Sequence, residues 1–156
     1  YYEIRAKLPS EDGAWPAIWL LGDVDSGTWP AIGEIDMVEW SSAYEGDSDV
    51  TITHALHATN FNSGGAKGWK GDIDSRIDDW HTYQLWWTPD VIKMGVDGGV
   101  LDAHFTYNKP SAAGNADWPY DDPMDIIMNV AIGGNLGGSH KVPSSIFNYE
   151  IGRAHV

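Results

Sequence analysis

"GEIDMVEW", residues 33–40, places Glu34, Asp36 and Glu39 within six positions of an otherwise apolar stretch. Like charges this close repel and raise one another's pKa. In a regular strand, successive side chains alternate between faces. Glu34 and Asp36 then share one face, Ile35 and Met37 the other, and Glu39 falls on the apolar side. A carboxylate left unpaired there is heavily penalised by desolvation. One extra residue at Met37-Val38, a β-bulge, returns Glu39 to the face of the other two. The spacing therefore predicts a bulged strand with three carboxylates on one face.

A solvated strand face with scattered acids is the bland alternative, and the apolar flanks speak against it. A metal loop is another. "DVDSGTWPAIGE" (23–34) has Asp23, Asp25 and Glu34 at the first, third and twelfth places of a calcium loop. Gly27 sits one place early, however, Pro30 lies inside, and no flanking helices are indicated. No metal is expected at the site. Paired carboxylates for acid/base chemistry remain. Five strand steps less one for the bulge separate the two Glu backbones by about 13 Å. Side chains leaning inward can bring the carboxyls to about 6 Å or less. Retaining glycosidases need about 5–5.5 Å and inverting ones about 6.5–9.5 Å. Geometry of this kind allows glycoside hydrolysis and leaves its stereochemistry open.

The rest of the chain fits an all-β domain. Its 156 residues suffice for one domain with a sizeable core. Eighteen Gly beside 9 Trp and 7 Tyr suggest a sandwich or barrel whose surface holds something flat. A net charge of −14 argues against nucleic acid as a partner, since phosphate repels an acidic surface. The chain has no Cys, which rules out disulfides and thiolate metal sites. No run of eighteen apolar residues occurs, so no membrane span is expected, and no signal peptide is visible. A monomer is expected.

Short alternating segments between turn signals dominate. "YYEIRAKL" (1–8) alternates. "GAWPAIWLLG" (13–22) is apolar on both faces, and Pro16 inside it favours an edge or a bulge. In "VTITHALHAT" (50–59), Val50, Ile52 and Leu56 share one face; Thr51, Thr53, Ala55 and His57 share the other. "HTYQLWWTPD" and "VIKMGVDGG" read as two strands, the second ending in the tight-turn pair Asp97-Gly98. "MDIIMNVAIGG" (124–134) reads as a buried strand with one polar interruption, Asn129. Segments 60–79 and 108–123 read as loops.

At this point the sequence resembles a known family. "GEIDMVEW" resembles the active-site motif of family 16 glycoside hydrolases, Glu-x-Asp-x-x-Glu, in its laminarinase-like form. "AKLPSEDGAWPAIWLLG" and "WPAIGEID" resemble the strand and loop before it. "WHTYQLWWTPDVIKMGVDG" and "WPYDDPMDIIMNVAIGGNLGG" are similar to later strands. The resemblance implies a β-jelly-roll sandwich of the concanavalin A type, with a substrate cleft on its concave sheet. It implies retaining hydrolysis of internal β-glycosidic bonds in a β-1,3-glucan, by a secreted enzyme whose partner is the polysaccharide. Glu34 is then the nucleophile. Asp36 orients Glu34, and Glu39 is the general acid and later the base. The negative pair on its own strand is expected to help raise the pKa of Glu39.

The family pattern is not covered in full. Its opening strands precede Tyr1, and its closing strand is not recognisable. The expected organisation is a partial catalytic domain over 1–150 and a tail of uncertain origin, "IGRAHV", at 151–156. No catalytic cofactor is implied. Many members carry a structural calcium held partly by chain ends that this sequence lacks; that ion is possible but is not predicted from this sequence.

Supporting residues follow from position. Trp29, five residues before Glu34, is a candidate stacking platform for a sugar face. Trp15 and Trp19 share one strand face and are candidate sugar contacts or core. His57 should point into the cleft; the similar position in the family contacts the sugar or the acids. His54 lies on the opposite face, which argues against a His-x-x-His metal pair. Asn129 needs a partner, expected to be sugar or the acids. Trp118 is a candidate subsite lining, and Arg5, on the polar face of the first strand, a candidate cleft residue. Three other readings stay open: a mixed-linkage glucanase, a hydrolase or transglycosylase on a polysaccharide such as agarose, and a non-catalytic carbohydrate-binding domain on the same fold.

Overall fold

The computed structural model describes residues 1–42, 49–98 and 102–137. The expected boundary at 150/151 and the tail 151–156 lie outside the described residues. Among the described residues nine strands form: β1 (Tyr2–Ala6), β2 (Ala14–Gly22), β3 (Glu34–Glu39), β4 (Thr51–His57), β5 (Lys67–Asp72), β6 (His81–Trp87), β7 (Val91–Val96), β8 (Phe105–Asn108) and β9 (Met124–Ile132). A 3₁₀ turn at Ser63–Gly65 and one short helix, α1 (Gly134–Gly137), complete the described elements. Among the described residues no helix is long and apolar enough to cross a membrane.

The strands make two antiparallel sheets, ordered β1-β6-β7-β8 and β5-β4-β3-β2-β9. Their facing apolar positions form one core. Ile18, Leu20, Ile35, Ile52 and Leu56 of the five-stranded sheet pack in the same buried cluster as Tyr83, Leu85, Ile92 and Met94 of the four-stranded sheet. The alternation in 50–59 predicts this directly. Ile52, His54 and Leu56 are buried, while Thr53, Ala55 and His57 are more open.

Three elements differ from expectation. Pro16 does not mark an edge, because β2 pairs with both β3 and β9. Its carbonyl accepts the Trp40 N–H, on the β3 side and just past the last β2–β3 pair, Ala17↔Glu39. In an antiparallel ladder a residue's N–H and C=O point the same way, so the missing donor falls where pairing has ended. Segment 60–79 is not all loop, since it contains β5. Its glycines hid the strand, and at Gly68 one is required: a Cβ there would lie 2.2 Å from the His54 carbonyl oxygen. Finally, among the described residues β9 is the edge strand of its sheet, and it is not buried. Ile126, Met128, Val130 and Ile132 lie opposite the buried Leu20, Ile18, Pro16 and Ala14 of β2. Their own exposures are 41, 51, 39 and 41%. No described strand of the four-stranded sheet extends over them.

An apolar, unpaired edge of this kind contributes little burial and invites association. These 156 residues produced alone are expected to unfold below about 65 °C, within or under the usual mesophile range. Scanning calorimetry checks this; a cooperative transition above that temperature would show that β9 needs no cover.

Candidate active site

The site is built on the bulge in β3. Against β4, Asp36 pairs with Ala55 and Glu39 with Thr53, three steps on one strand against two on the other. Against β2, Asp36 pairs with Trp19 and Val38 with Ile18, two steps against one. The count is one residue in excess at Met37-Val38, where the two-residue period predicts it. Ile35, Met37 and Val38 are all fully buried, and Glu34 and Glu39 are partly open. Both residues of the bulge thus face the core, and Glu39 rejoins the face of Glu34 and Asp36. The Met37 carbonyl, freed from the ladder, is met by Nδ1 of the buried His54 at 2.6 Å.

Neighbouring strands supply the partners. His57 stands opposite Glu34 in register. Its Nε2 lies 3.0 Å from Asp36 Oδ2 and 3.5 Å from Glu34 Oε1. Its Nδ1 accepts the Ser63 backbone N–H at 3.1 Å. Among the two expected partners, sugar or acids, His57 therefore meets the acids. The Trp15 indole N–H donates to Glu39 Oε1 at 3.0 Å, so Trp15 anchors the second acid. The Trp19 indole N–H donates to Asn129 Oδ1 at 2.8 Å. That supplies the partner Asn129 needs, and it is neither of the two expected.

Trp29 is 44% exposed at the end of the β2–β3 loop, with its ring centroid 5.9 Å from that of His57. Together with Trp19, Leu21, Val24, Ile32 and Glu34 it lines an open groove of about 590 Å³. Gly33 enters β3 with φ +80°, and a Cβ on it would lie 2.8 Å from Pro119. The 109–123 segment therefore packs directly against the start of the motif strand. Tyr120 adds an O–H donated to the His57 carbonyl at 2.9 Å.

Two expected contacts lie elsewhere. Trp118 is 1% exposed, stacks on Tyr107 and donates to Asp121, so it is core. Arg5 belongs to β1 in the other sheet, where its guanidinium sits 4.4 Å over the Trp80 ring. Alternation places a residue on a face but does not say which sheet the strand joins. Sequence reasoning also missed Ser63, Leu21, Val24, Ile32 and Tyr120. Ser63 acts through its backbone and leaves no side-chain signal. The apolar four read as ordinary core or loop residues until the fold aligns them.

Burial dominates the electrostatics. It raises the Glu34 carboxyl to about 7, and the Asp36 charge adds to the rise. It holds Asp36, only 3% exposed, well above the usual carboxylate range, with the Glu39 charge adding. Glu39 is raised too, by burial, while the Trp15 hydrogen bond pulls the other way. Burial, more than the negative pair expected from sequence, thus lifts Glu39. The cluster retains a proton near neutral pH, which a general acid requires.

Glu34, Asp36 and His57 each offer a ligand atom within 4.8 Å of the others. The ring of His57 does not suit a metal. A ligating imidazole donates its other N–H to an acceptor, whereas here Nδ1 faces the Ser63 donor.

Two outcomes follow. A carboxyl raised from 4.5 to about 7 stabilises the fold below its unfolded pKa and loses that contribution as pH rises through 7. Glu34→Gln should therefore raise stability at pH 8 by about 2 kcal/mol, discounted for partial exposure. At pH 4 it should change little; denaturant titrations at the two pH values check the difference. Met37→Ala keeps the residue count and the bulge but empties a fully buried site. A loss of about 2–5 kcal/mol is expected, with kcat much less affected; deleting Met37 should instead cut kcat in a folded protein, because it moves Glu39.

Comparison with known proteins agrees with this geometry. The chain is 35% identical over 155 residues to a beta-glucanase of Rhodothermus marinus, covering 94% of this chain and 52% of that protein. It is 37% identical over 147 residues to glucan endo-1,3-beta-glucosidase A1 of Niallia circulans, covering 92% of this chain and 21% of that protein. The crystal structure of a laminarinase from Flavobacterium sp. UMI-01 matches with TM-score 0.80 and 37% identity, over 93% of this chain and 60% of that one. The chain thus spans about half the length of the first of these relatives, and less of the second. Over residues 1–146 it matches the sequence pattern of glycosyl hydrolases family 16, and with two antiparallel sheets forming the jelly-roll sandwich of these enzymes, the chain belongs to that family.

Proposed function

We propose that this chain carries the catalytic centre of a retaining endo-β-1,3-glucanase. The observation that carries the reading is the bulge, which sets Glu34, Asp36 and Glu39 on one face beside a tryptophan-lined groove. In this mechanism Glu39 donates its proton to the glycosidic oxygen while Glu34 attacks the anomeric carbon. The bond to the leaving sugar breaks as a glycosyl ester forms on Glu34. Glu39, now ionised, takes a proton from water, whose oxygen attacks the same carbon and releases Glu34. Asp36 sits between the two on the same face and biases the charge of Glu34. Trp29 provides a flat apolar surface for a sugar ring. Trp19 and Asn129, bonded to one another, form the floor of the same face.

The three carboxyls stand at raised pKa in a desolvated setting, which costs stability. A domain that only bound sugar would gain nothing from that cost, so the site favours catalysis. The polysaccharide is a β-1,3-glucan, with mixed-linkage β-glucan, which the open groove also admits, as the second reading. No catalytic cofactor is invoked. The residues form part of a longer catalytic domain, with the remaining strands covering β9, and the enzyme acts outside the cell.

A reducing-sugar assay across laminarin, lichenan, agarose and carrageenan tests the substrate, and release from laminarin is expected to lead. Glu34→Gln and Glu39→Gln should each lose about 10²–10⁴-fold in kcat without unfolding. A variant of either with near wild-type turnover would sink the assignment. Azide should partly restore Glu39→Ala on an activated glycoside and yield the β-glycosyl azide; an α-azide would exchange the roles of the two residues.

A further inference from the structure

The His57 ring is held from both sides. Nδ1 receives the Ser63 N–H, and a nitrogen that accepts a hydrogen bond carries a lone pair and no proton. The ring proton of the neutral imidazole therefore resides on Nε2. That nitrogen stands 3.0 Å from Asp36 Oδ2 and 3.5 Å from Glu34 Oε1. Asp36 Oδ2 is buried and makes no aligned hydrogen bond among the described residues. The Nε2–H is placed beside it, off line, in a contact of the kind that tightens when substrate closes a site.

The turn that aims the Ser63 N–H is itself tied down. Ser63 adopts φ 50°, in the left-handed region. Gly65 N–H bonds to the Asn62 carbonyl, Ala66 N–H to the Ser63 carbonyl, and the Asn62 side chain to the Ala58 carbonyl. A proton added to Nδ1 would face the Ser63 donor and break its hydrogen bond. The groups around the ring are Glu34 and Asp36 on β3, Glu39 further along it, the Trp29 ring, and Tyr120, whose O–H holds the His57 carbonyl.

We propose that the Ser63 backbone N–H is a tautomer lock: it keeps His57 as a neutral Nε2–H donor to the Asp36–Glu34 pair and denies Nε2 to metal ions. His57 is then a positioning residue for the nucleophile pair. Its Nε2–H, 3.0 Å from Asp36 Oδ2 and 3.5 Å from Glu34 Oε1, closes to a hydrogen bond when substrate enters and then fixes the rotamers of the pair. The lock rests on the reading of Glu34 and Glu39 as the reacting pair for its kinetic consequences, but not for its structural ones.

Long-range ¹H–¹⁵N correlation spectra of the full-length protein, labelled at histidine, read the tautomer without any substrate. His57 should show a protonated Nε2 and an unprotonated Nδ1 throughout the pH range of activity. An Nδ1–H form or an imidazolium in that range would overturn the lock, whatever the enzyme cuts. In kinetics, His57→Phe should lower kcat at least tenfold with a smaller change in KM. His57→Gln, which keeps a neutral donor, should recover most of that loss with the acid limb of the pH profile unmoved. Gln no better than Phe would refute the donor role. Zn²⁺ titrated calorimetrically should bind wild type and His57→Gln within threefold of one another; tenfold tighter binding to wild type would place the metal on Nε2 and refute the proposal.

Discussion

One surplus residue in β3 governs the site. Strand geometry allows a side chain only two directions, and the odd spacing between Asp36 and Glu39 would send the second Glu into the core. The bulge at Met37-Val38 removes that conflict and turns both of its own side chains inward. Its consequences reach the next strand. The carbonyl released from the ladder is taken by His54, a histidine buried on the core side. Burial pushes the pKa of His54 down to about 4, so it is neutral there and can serve as a plain hydrogen-bond partner. The two histidines of β4 thus divide the work by parity: His54 supports the bulge from beneath, and His57 meets the carboxylates from above.

The active face is held by tryptophans as much as it is lined by them. Trp15 donates to Glu39 and Trp19 to Asn129, so two of the large apolar rings on β2 spend their only polar group on protein partners. Trp29 remains exposed at the mouth of the groove. An indole has one donor and a broad apolar face. A ring can therefore anchor a catalytic group through nitrogen while still offering carbon to a sugar. The same arrangement explains why the site is tense. Three carboxyls crowd a desolvated face, and their raised pKa values record free energy that the rest of the core must offset.

That offset is uneven. The centre of the sandwich is tightly packed between β3, β4, β6 and β7, while the flank at β9 presents four apolar side chains to solvent. The carboxylate-bearing sheet face needs β9, because Asn129 stands on it and bonds across to β2. Order at the tryptophan-lined groove is thus linked to whatever covers the opposite side of the same strand.

Local pattern carried much of this structure. The period of two in 50–59 separated His57 from His54, and the broken period in GEIDMVEW located both the bulge and the three acids. These are short-range constraints, set by pleat and parity within one strand. The long-range facts were not legible in that way. Arg5 and Trp118 have polar or aromatic neighbours that suit a cleft, yet one lies on the second sheet and the other in the core. β9 is apolar enough to read as buried, and it is exposed because no described strand of the second sheet reaches it. Ser63 carries its function on a backbone N–H, which every residue but proline possesses. The sequence by itself determined which side chains share a face. Only the tertiary structure decided which sheet each face belongs to, what covers it and which backbone groups meet it, because those depend on contacts between residues far apart in the chain.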